Sequence, residues 1–388
     1  MLSCRLNWSI EQTRLSRAIE RARIEPMPVF DLSCSNLTAV GLSYPHDEMA
    51  AAFSRVTDYS YRPEPLGLLK ARCEIAARYE RQGLSVSAEQ IVLTSSTSEG
   101  YSFLFKLLCD TGDEVLVPSP SYPLFDYLIP LDLARPQPYS LAFDGAWFID
   151  FDDLQRRING RTKAIVVVNP NNPTGQYLKR HEAERLAEIA VRNNLAIICD
   201  EVFVDFPHRD GVGGTVSPLV EANATTFFLN GLSKGSGMPQ VKLAWIVAAV
   251  PAAQQRGILS ALELISDTYL SVGTALQLAL PELLQIGNRI RSSIRQRTGV
   301  NLATVNDLLY RSCAQALAVE GGWSVILQLP HTRSEEEWCL ALLNQFRVIV
   351  QPGYLFDMHR EPYIVVSLLT PPADLIAGIN ATLQLVGT

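Results

Sequence analysis

Lys234 stands where an apolar run stops: Thr-Phe-Phe-Leu-Asn-Gly-Leu-Ser (226–233) leads into it, and Gly-Ser-Gly (235–237) follows. Lysine is scarce here, the others being Lys70, Lys106, Lys163, Lys179 and Lys242. A primary amine held at the end of a buried strand is a nucleophile toward a carbonyl carbon, because burial favours its neutral form. A solvated loop lysine would fit the same sequence. Asp200 closes a second apolar run, Ala-Ile-Ile-Cys (196–199). A carboxylate buried there without a partner is costly, so it calls for a cation or for donors; a turn or helix cap is the plainer use. Ser96, Thr97 and Ser98 follow the run Ile-Val-Leu-Thr (91–94) and open a helix-like stretch. Their amides and hydroxyls can cradle an anion at a helix N-terminus or cap the helix, and the same donors serve both uses. Asn172 sits in the second Asn-Pro of NPNNPTG (169–175), which by itself is also a good turn sequence.

These residues must be positioned by elements that the pattern supplies. From about residue 90, short continuous apolar runs alternate with amphipathic stretches, as in a layered α/β sheet covered on both faces. The strand candidates include IVLT, EVLV, KAIVVV, AIICD, TFFLNG and VKLAWIVAAV, with a helix over about 179–193 and a helix pair over about 251–266 and 273–296. From about Asn301 shorter strands (SVILQLP, VIVQP, YIVVSLL) mix with helices, which predicts a smaller α+β part completed by the N-terminal segment. Ser9 to Gln12 has capping-box spacing and predicts an amphipathic helix near the start. In an open parallel sheet, ligands gather at the carboxyl ends of strands. TSSTSEG, NPNNPTG, DEVF and GLSKGSG all fall there. A ligand engaging all four needs a phosphate, an aromatic ring, a basic ring atom and an electrophilic carbon, and pyridoxal phosphate has each.

Composition bounds the rest. The chain has 388 residues, 47% hydrophobic and 19% charged, which suits a well-packed globule of two subdomains. A net charge of −7 argues against nucleic acid or a membrane surface as the main partner. Cys4, Cys34, Cys73, Cys109, Cys199, Cys313 and Cys339 are scattered and form no CxxC pair, which fits free thiols in a reducing compartment. No apolar run reaches the ~18 residues that span a bilayer. The start has no apolar h-region, so a cytoplasmic protein without metal is expected.

The motifs SNLT (35–38), YRPEPLG (61–67), GDEVLVPSPSYPLF (112–125), NPNNPTG, DEVF (200–203), SKGSGMPQVKLAW (233–245), GGW (321–323) and PGYLF (352–356) occur in order. Carrying them, the chain resembles the class I/II aminotransferases of the aspartate-aminotransferase fold, fold type I of the pyridoxal-phosphate enzymes. The resemblance implies an α/β fold with a mostly parallel, mixed seven-stranded sheet in a large domain (46–285) and a smaller α+β domain (1–45 plus 286–388). It implies pyridoxal 5′-phosphate bound to Lys234 as a Schiff base, with the freed amine later shuttling a proton. Asp200 would hold the pyridine nitrogen and Asn172 would donate to the phenolic oxygen O3′. Ser96, Thr97, Ser98, Ser233 and Lys242 would hold the phosphate, and Tyr122 would stack on the ring. Tyr61 would reach the partner subunit's phosphate site, making the protein a homodimer.

Three departures carry consequences. Lys242 stands in place of the family's phosphate arginine, which keeps the charge and loses the bidentate fork. Phe203 replaces the tyrosine that hydrogen-bonds O3′, which should raise the Schiff base pKa. Val365 stands where the arginine for the substrate carboxylate is usual. Either Arg360, Arg21 or Arg23 substitutes for it, or the substrate has no carboxylate at that place. A transaminase is expected. A lyase or decarboxylase would use the same Lys, Asp and Asn, since orientation at Cα decides among these reactions. A non-catalytic cofactor-sensing regulator is disfavoured by the acidic charge and by the short stretch before the first motif.

Overall fold

Burial on both faces builds the central sheet. The computed structural model describes residues 3–6, 12–58, 60–209, 211, 213, 217–358 and 362–387. Its main sheet consists of β1 (Ile91–Thr94), β2 (Glu114–Ser119), β3 (Arg135–Phe143), β4 (Trp147–Ile149), β5 (Thr162–Val168), β6 (Ala196–Asp200), β7 (Thr226–Gly231) and β8 (Ala244–Ala249). The spatial order is β1-β8-β7-β6-β5-β2-β3-β4. The central run from β7 to β3 is parallel. β8 lies antiparallel to both β1 and β7. The strand beyond the seven expected is β4, which folds back antiparallel on β3. Three residues give too short an alternation to be read as a strand from sequence.

The period-2 alternation of strand side chains divides the core between the two faces. Ile165, Ile197, Cys199, Phe228 and Val247 face one side, where the helix Arg180–Asn193 lays Ala183, Leu186, Ala187 and Ala190 on them. Their neighbours Val166, Ile198, Phe227 and Ile246 face the other, against Tyr101, Phe103, Leu104 and Phe105 of the helix Thr97–Leu108. β6, β7 and β8 are buried at every position, which is why their sequences do not alternate.

A second sheet runs Gln315–Ala316, Ser324–Gln328, Tyr363–Ser367, Gln351–Pro352 in spatial order, with antiparallel neighbours. Val325, Leu327, Ile364 and Val366 join Leu15, Leu32, Trp338, Leu375 and Ile379 in a core shared by both ends of the chain. The alternate residues Ile326 and Val365 belong to the core of the large sheet. The two cores meet across this small sheet.

Two helices differ from expectation. The described N-terminal helix is Arg14–Ile24, capped by Thr13, whose hydroxyl accepts from the Ser16 amide at 3.1 Å; the Ser9 capping site lies outside the described residues. The helix expected over 273–296 is Thr274–Leu309, 36 residues long. It runs on past the expected end because Ile294, Thr298, Asn301, Val305 and Leu309 continue one buried stripe. Asn301 Nδ2 anchors it, donating to the carbonyls of Leu368 and Thr370 at 2.8 Å each. Among the described residues, no helix is long and apolar enough to cross a membrane.

Candidate active site

The carboxyl ends of β1, β6 and β7 open on a cavity of about 330 Å³, closed from the far side by residues of the smaller sheet and its loops. β6 ends on Asp200, which is buried among apolar strand residues. The Tyr101 hydroxyl donates to its Oδ2 at 3.0 Å and the Val202 amide to its Oδ1 at 3.0 Å. Burial nevertheless pushes this carboxyl up to about 6, against the pull of the Val202 amide, the Tyr101 hydroxyl and the Lys234 charge. Both donors are neutral, which leaves the Lys234 charge as the opposite charge that acts on the ionised form.

β7 delivers Lys234 through the short helical turn Leu232–Gly235. The turn packs tightly, since a Cβ on Gly231 would lie 2.7 Å from Ala244 Cβ and 2.9 Å from its Cα. Burial holds the Lys234 amine below the usual lysine range; the Asp200 charge opposes that shift and the Lys242 charge adds to it. Its Nζ lies 5.9 Å from the centre of the Trp323 ring, which the rings of Phe203 and Phe206 meet edge-on at 5.0 and 5.1 Å. A lysine amine with a lowered pKa and a buried carboxylate therefore line one cavity. That arrangement can form an imine and hold a cationic ring atom.

The other expected residues divide. Thr97 and Ser98, in the first turn of their helix, line the cavity, as do Tyr122 and Asn172. Asn172 accepts at Oδ1 from the Ser324 hydroxyl at 3.3 Å, leaving Nδ2 as its donor. Ser96 caps the helix, accepting from the Glu99 amide at 3.1 Å, and is not part of the lining. Ser233 is half-buried beside Lys234, and Lys242 is exposed; neither lines the cavity. Tyr61 is 77% exposed and borders a separate cleft with Ser271 and Val272.

Val365 is a core residue, paired with Gln351 and Ile326. Arg21 is exposed, and Arg23 is bound to Asp31 at 2.8 Å; neither lines the cavity. Arg360 lies outside the described residues. Among the described lining residues, Lys234 is the sole cation and Asp200 the sole anion.

Sequence reasoning gave no role to Tyr101, Trp323, Ser33, Ser35 or Gln351, all of which line the cavity. Tyr101 had a usable signal, because it lies four residues after Thr97 and so on the same helix face. Trp323 had only its place in GGW.

The family model for aminotransferase class I and II matches residues 41–373. The chain belongs to this family. It is an aminotransferase, an enzyme that moves an amino group between an amino donor and a 2-oxo acid. It is 29% identical over 372 residues to the glutamate-pyruvate aminotransferase AlaA of Escherichia coli K12, covering 93% of this chain and 91% of that protein. The protein of the same name from Haemophilus influenzae is 25% identical over 367 residues, 90% of this chain and 88% of that one. Among solved structures, an aminotransferase from Escherichia coli superposes with a TM-score of 0.87 at 23% identity, covering 100% of this chain and 98% of that one. Alanine aminotransferase from Pyrococcus furiosus superposes with a TM-score of 0.86 at 21% identity, covering 96% of each chain. At these identities the structural likeness establishes the fold alone. Members of the family depend on pyridoxal 5′-phosphate.

Proposed function

We propose that this aminotransferase holds pyridoxal 5′-phosphate in the cavity between Lys234 and Asp200 and works as a homodimer. One observation carries the reading: the lysine and the carboxylate, at the ends of two adjacent parallel strands, line the same enclosed space. The donor set fits the group. The ionised Asp200 receives only neutral donors from the chain and suits a protonated ring nitrogen. Thr97 and Ser98 open a 12-residue helix and suit a phosphate, while Ser233 adjoins Lys234 and the Lys242 charge bears on that lysine. When bound, the cofactor supplies an aldehyde carbon and an electron-withdrawing ring.

The chain's own residues do the remaining work. Lys234, whose pKa burial lowers, would hold the cofactor through its amine and, once free of it, take and return a proton at the substrate Cα. Asp200, steadied by Tyr101 and Val202, fixes the ring's charge state. Asn172 offers Nδ2 to the ring oxygen, and Tyr122 and Trp323 wall the space. Tyr61, exposed in the single chain, serves the neighbouring subunit's phosphate site in this reading.

The test is direct. Wild-type protein incubated with pyridoxal phosphate should turn yellow and, after borohydride reduction, carry one cofactor per chain on Lys234. Glutamate and alanine, the donors suggested by the relatives' names, should be the first amino compounds offered. Lys234→Ala should lose both the reducible adduct and amino transfer. A wild-type protein that binds no cofactor, or cofactor fixed on another lysine, would sink the reading.

A further inference from the structure

A second cavity of about 420 Å³ adjoins the first and shares Ser121, Tyr122 and Phe125 with it. Its character differs, because Asp126 and Asp357 both line it. Neither carboxylate has an ion-pair partner among the described residues, and both residues are exposed. Burial, with the Asp357 charge second, raises the Asp126 carboxyl above its ordinary value. Ser121, which borders both cavities, is 4% exposed, and its hydroxyl has no hydrogen-bond partner among the described residues. A buried hydroxyl left without a partner is costly unless a ligand or water supplies one. Two carboxylates and a hydroxyl, all without such partners among the described residues, thus line a cleft that shares three residues with the cavity of Lys234.

The first cavity makes the complementary statement. A substrate carboxylate entering it would meet no arginine among the described lining residues, and it would share the space with Asp200. A positive group at the far end of the substrate would instead find Asp126 and Asp357.

We propose that the amino donor of this enzyme carries a second cationic group, which sits between Asp126 and Asp357 while the reacting amine meets Lys234. The shared chemistry is that of diamines and of basic amino acids. The proposal rests on the transaminase reading above, and it names the substrate class of that same site. Tyr122, half exposed and common to both cavities, forms the wall along which the chain between the two nitrogens lies.

The experiment is a half-reaction panel on the holoenzyme, followed by loss of the yellow colour. It compares 1,4-diaminobutane and 1,5-diaminopentane with ornithine and lysine, with length-matched monoamines, and with glutamate and alanine. The expected result is a higher kcat/KM for the dicationic donors than for the matched monoamines. The advantage should shrink about three- to fivefold for each of Asp126→Asn and Asp357→Asn, and further as salt rises. Asn suits position 357, where φ is +56°. Diamines outrunning ornithine and lysine would assign the carboxyl-free class, and the reverse order the amino acids; either supports the proposal. A second readout is calorimetric binding of 1,4-diaminobutane to Lys234→Ala protein, which keeps both carboxylates and should weaken in the Asp126→Asn background.

Equal rates for matched monoamines and diamines, with Asn variants indistinguishable from wild type, would overturn the proposal while leaving the transaminase reading intact. So would fast glutamate turnover that is lost in Arg360→Ala. A holoenzyme that fails to form would overturn both.

Discussion

In the proposed reading, Asp200 sets stability against function at a single side chain. Its carboxyl titrates near 6 in the folded protein and near 3.8 when unperturbed. Between those values the folded state holds the proton and the unfolded state does not. The cofactor-free protein should therefore lose stability as pH rises from about 4 to 6, and the loss should persist at neutral pH. The penalty is on the order of 2–3 kcal/mol. Asp200→Asn should accordingly raise the melting temperature of the cofactor-free protein at pH 7. The same change should cut amino transfer by about 2–5 kcal/mol of transition-state stabilisation, since a buried charge partner is gone. A variant that is neither more stable nor less active would refute this account. Phe203 makes a second prediction at this scale. With no hydroxyl to donate to the ring oxygen, the holoenzyme's visible absorbance should titrate at an unusually high pH. Phe203→Tyr should bring that midpoint down by about one unit, the size of a single hydrogen bond. An unchanged midpoint would count against it.

At the scale of elements, a buried charge network supports the Lys234 turn from behind. Asp205 accepts from Arg78 at 2.5 Å and pairs with Arg291 at 3.1 Å, joining the helix Leu69–Arg81 to the helix Thr274–Leu309. A Cβ on Gly235 would lie 3.3 Å from Asp205 Oδ2, so the network packs directly on the turn. Burial also pushes the neighbouring Glu201 carboxyl up to about 8. Asp205→Ala should leave two largely buried guanidinium groups without their carboxylate and cost about 3–5 kcal/mol, read as a lower urea midpoint. A midpoint shift corresponding to well under that figure would show that solvent reaches the network. None of this network was legible from sequence. Arg78 and Asp205 lie 127 residues apart, and a single sequence carries no pairing signal for such contacts.

The whole molecule sets the remaining test. If Tyr61 serves the partner's site, the protein should sediment at twice the chain mass of 42.9 kDa. Tyr61→Ala should weaken cofactor binding about tenfold, the loss of a hydrogen bond to a charged group. Co-expressing Tyr61→Ala with Lys234→Ala chains should restore sites with normal cofactor affinity, because each hybrid has one site built from Lys234 of one chain and Tyr61 of the other. Hybrids with no better affinity than the Tyr61→Ala parent would exclude a shared site.

The linear order of residues sufficed for six of the eight strands of the central sheet, all but β3 and β4, and for Lys234 and Asp200 at the ends of two of them. The reason is local: an unbroken apolar run that stops at a polar residue reports burial and its limit in a few neighbouring positions. It also sufficed for the helix that begins at Thr97, whose cap and apolar stripe are written within one turn of each other. Only the folded chain decided that Tyr101 donates to Asp200 across 99 residues, that Lys234 lies over the Trp323 ring, and that Asp126 and Asp357 line one cleft beside their cavity. Those groups meet through packing of the small sheet and its loops on the large one. Such meetings depend on three-dimensional closure, to which no spacing along the chain corresponds.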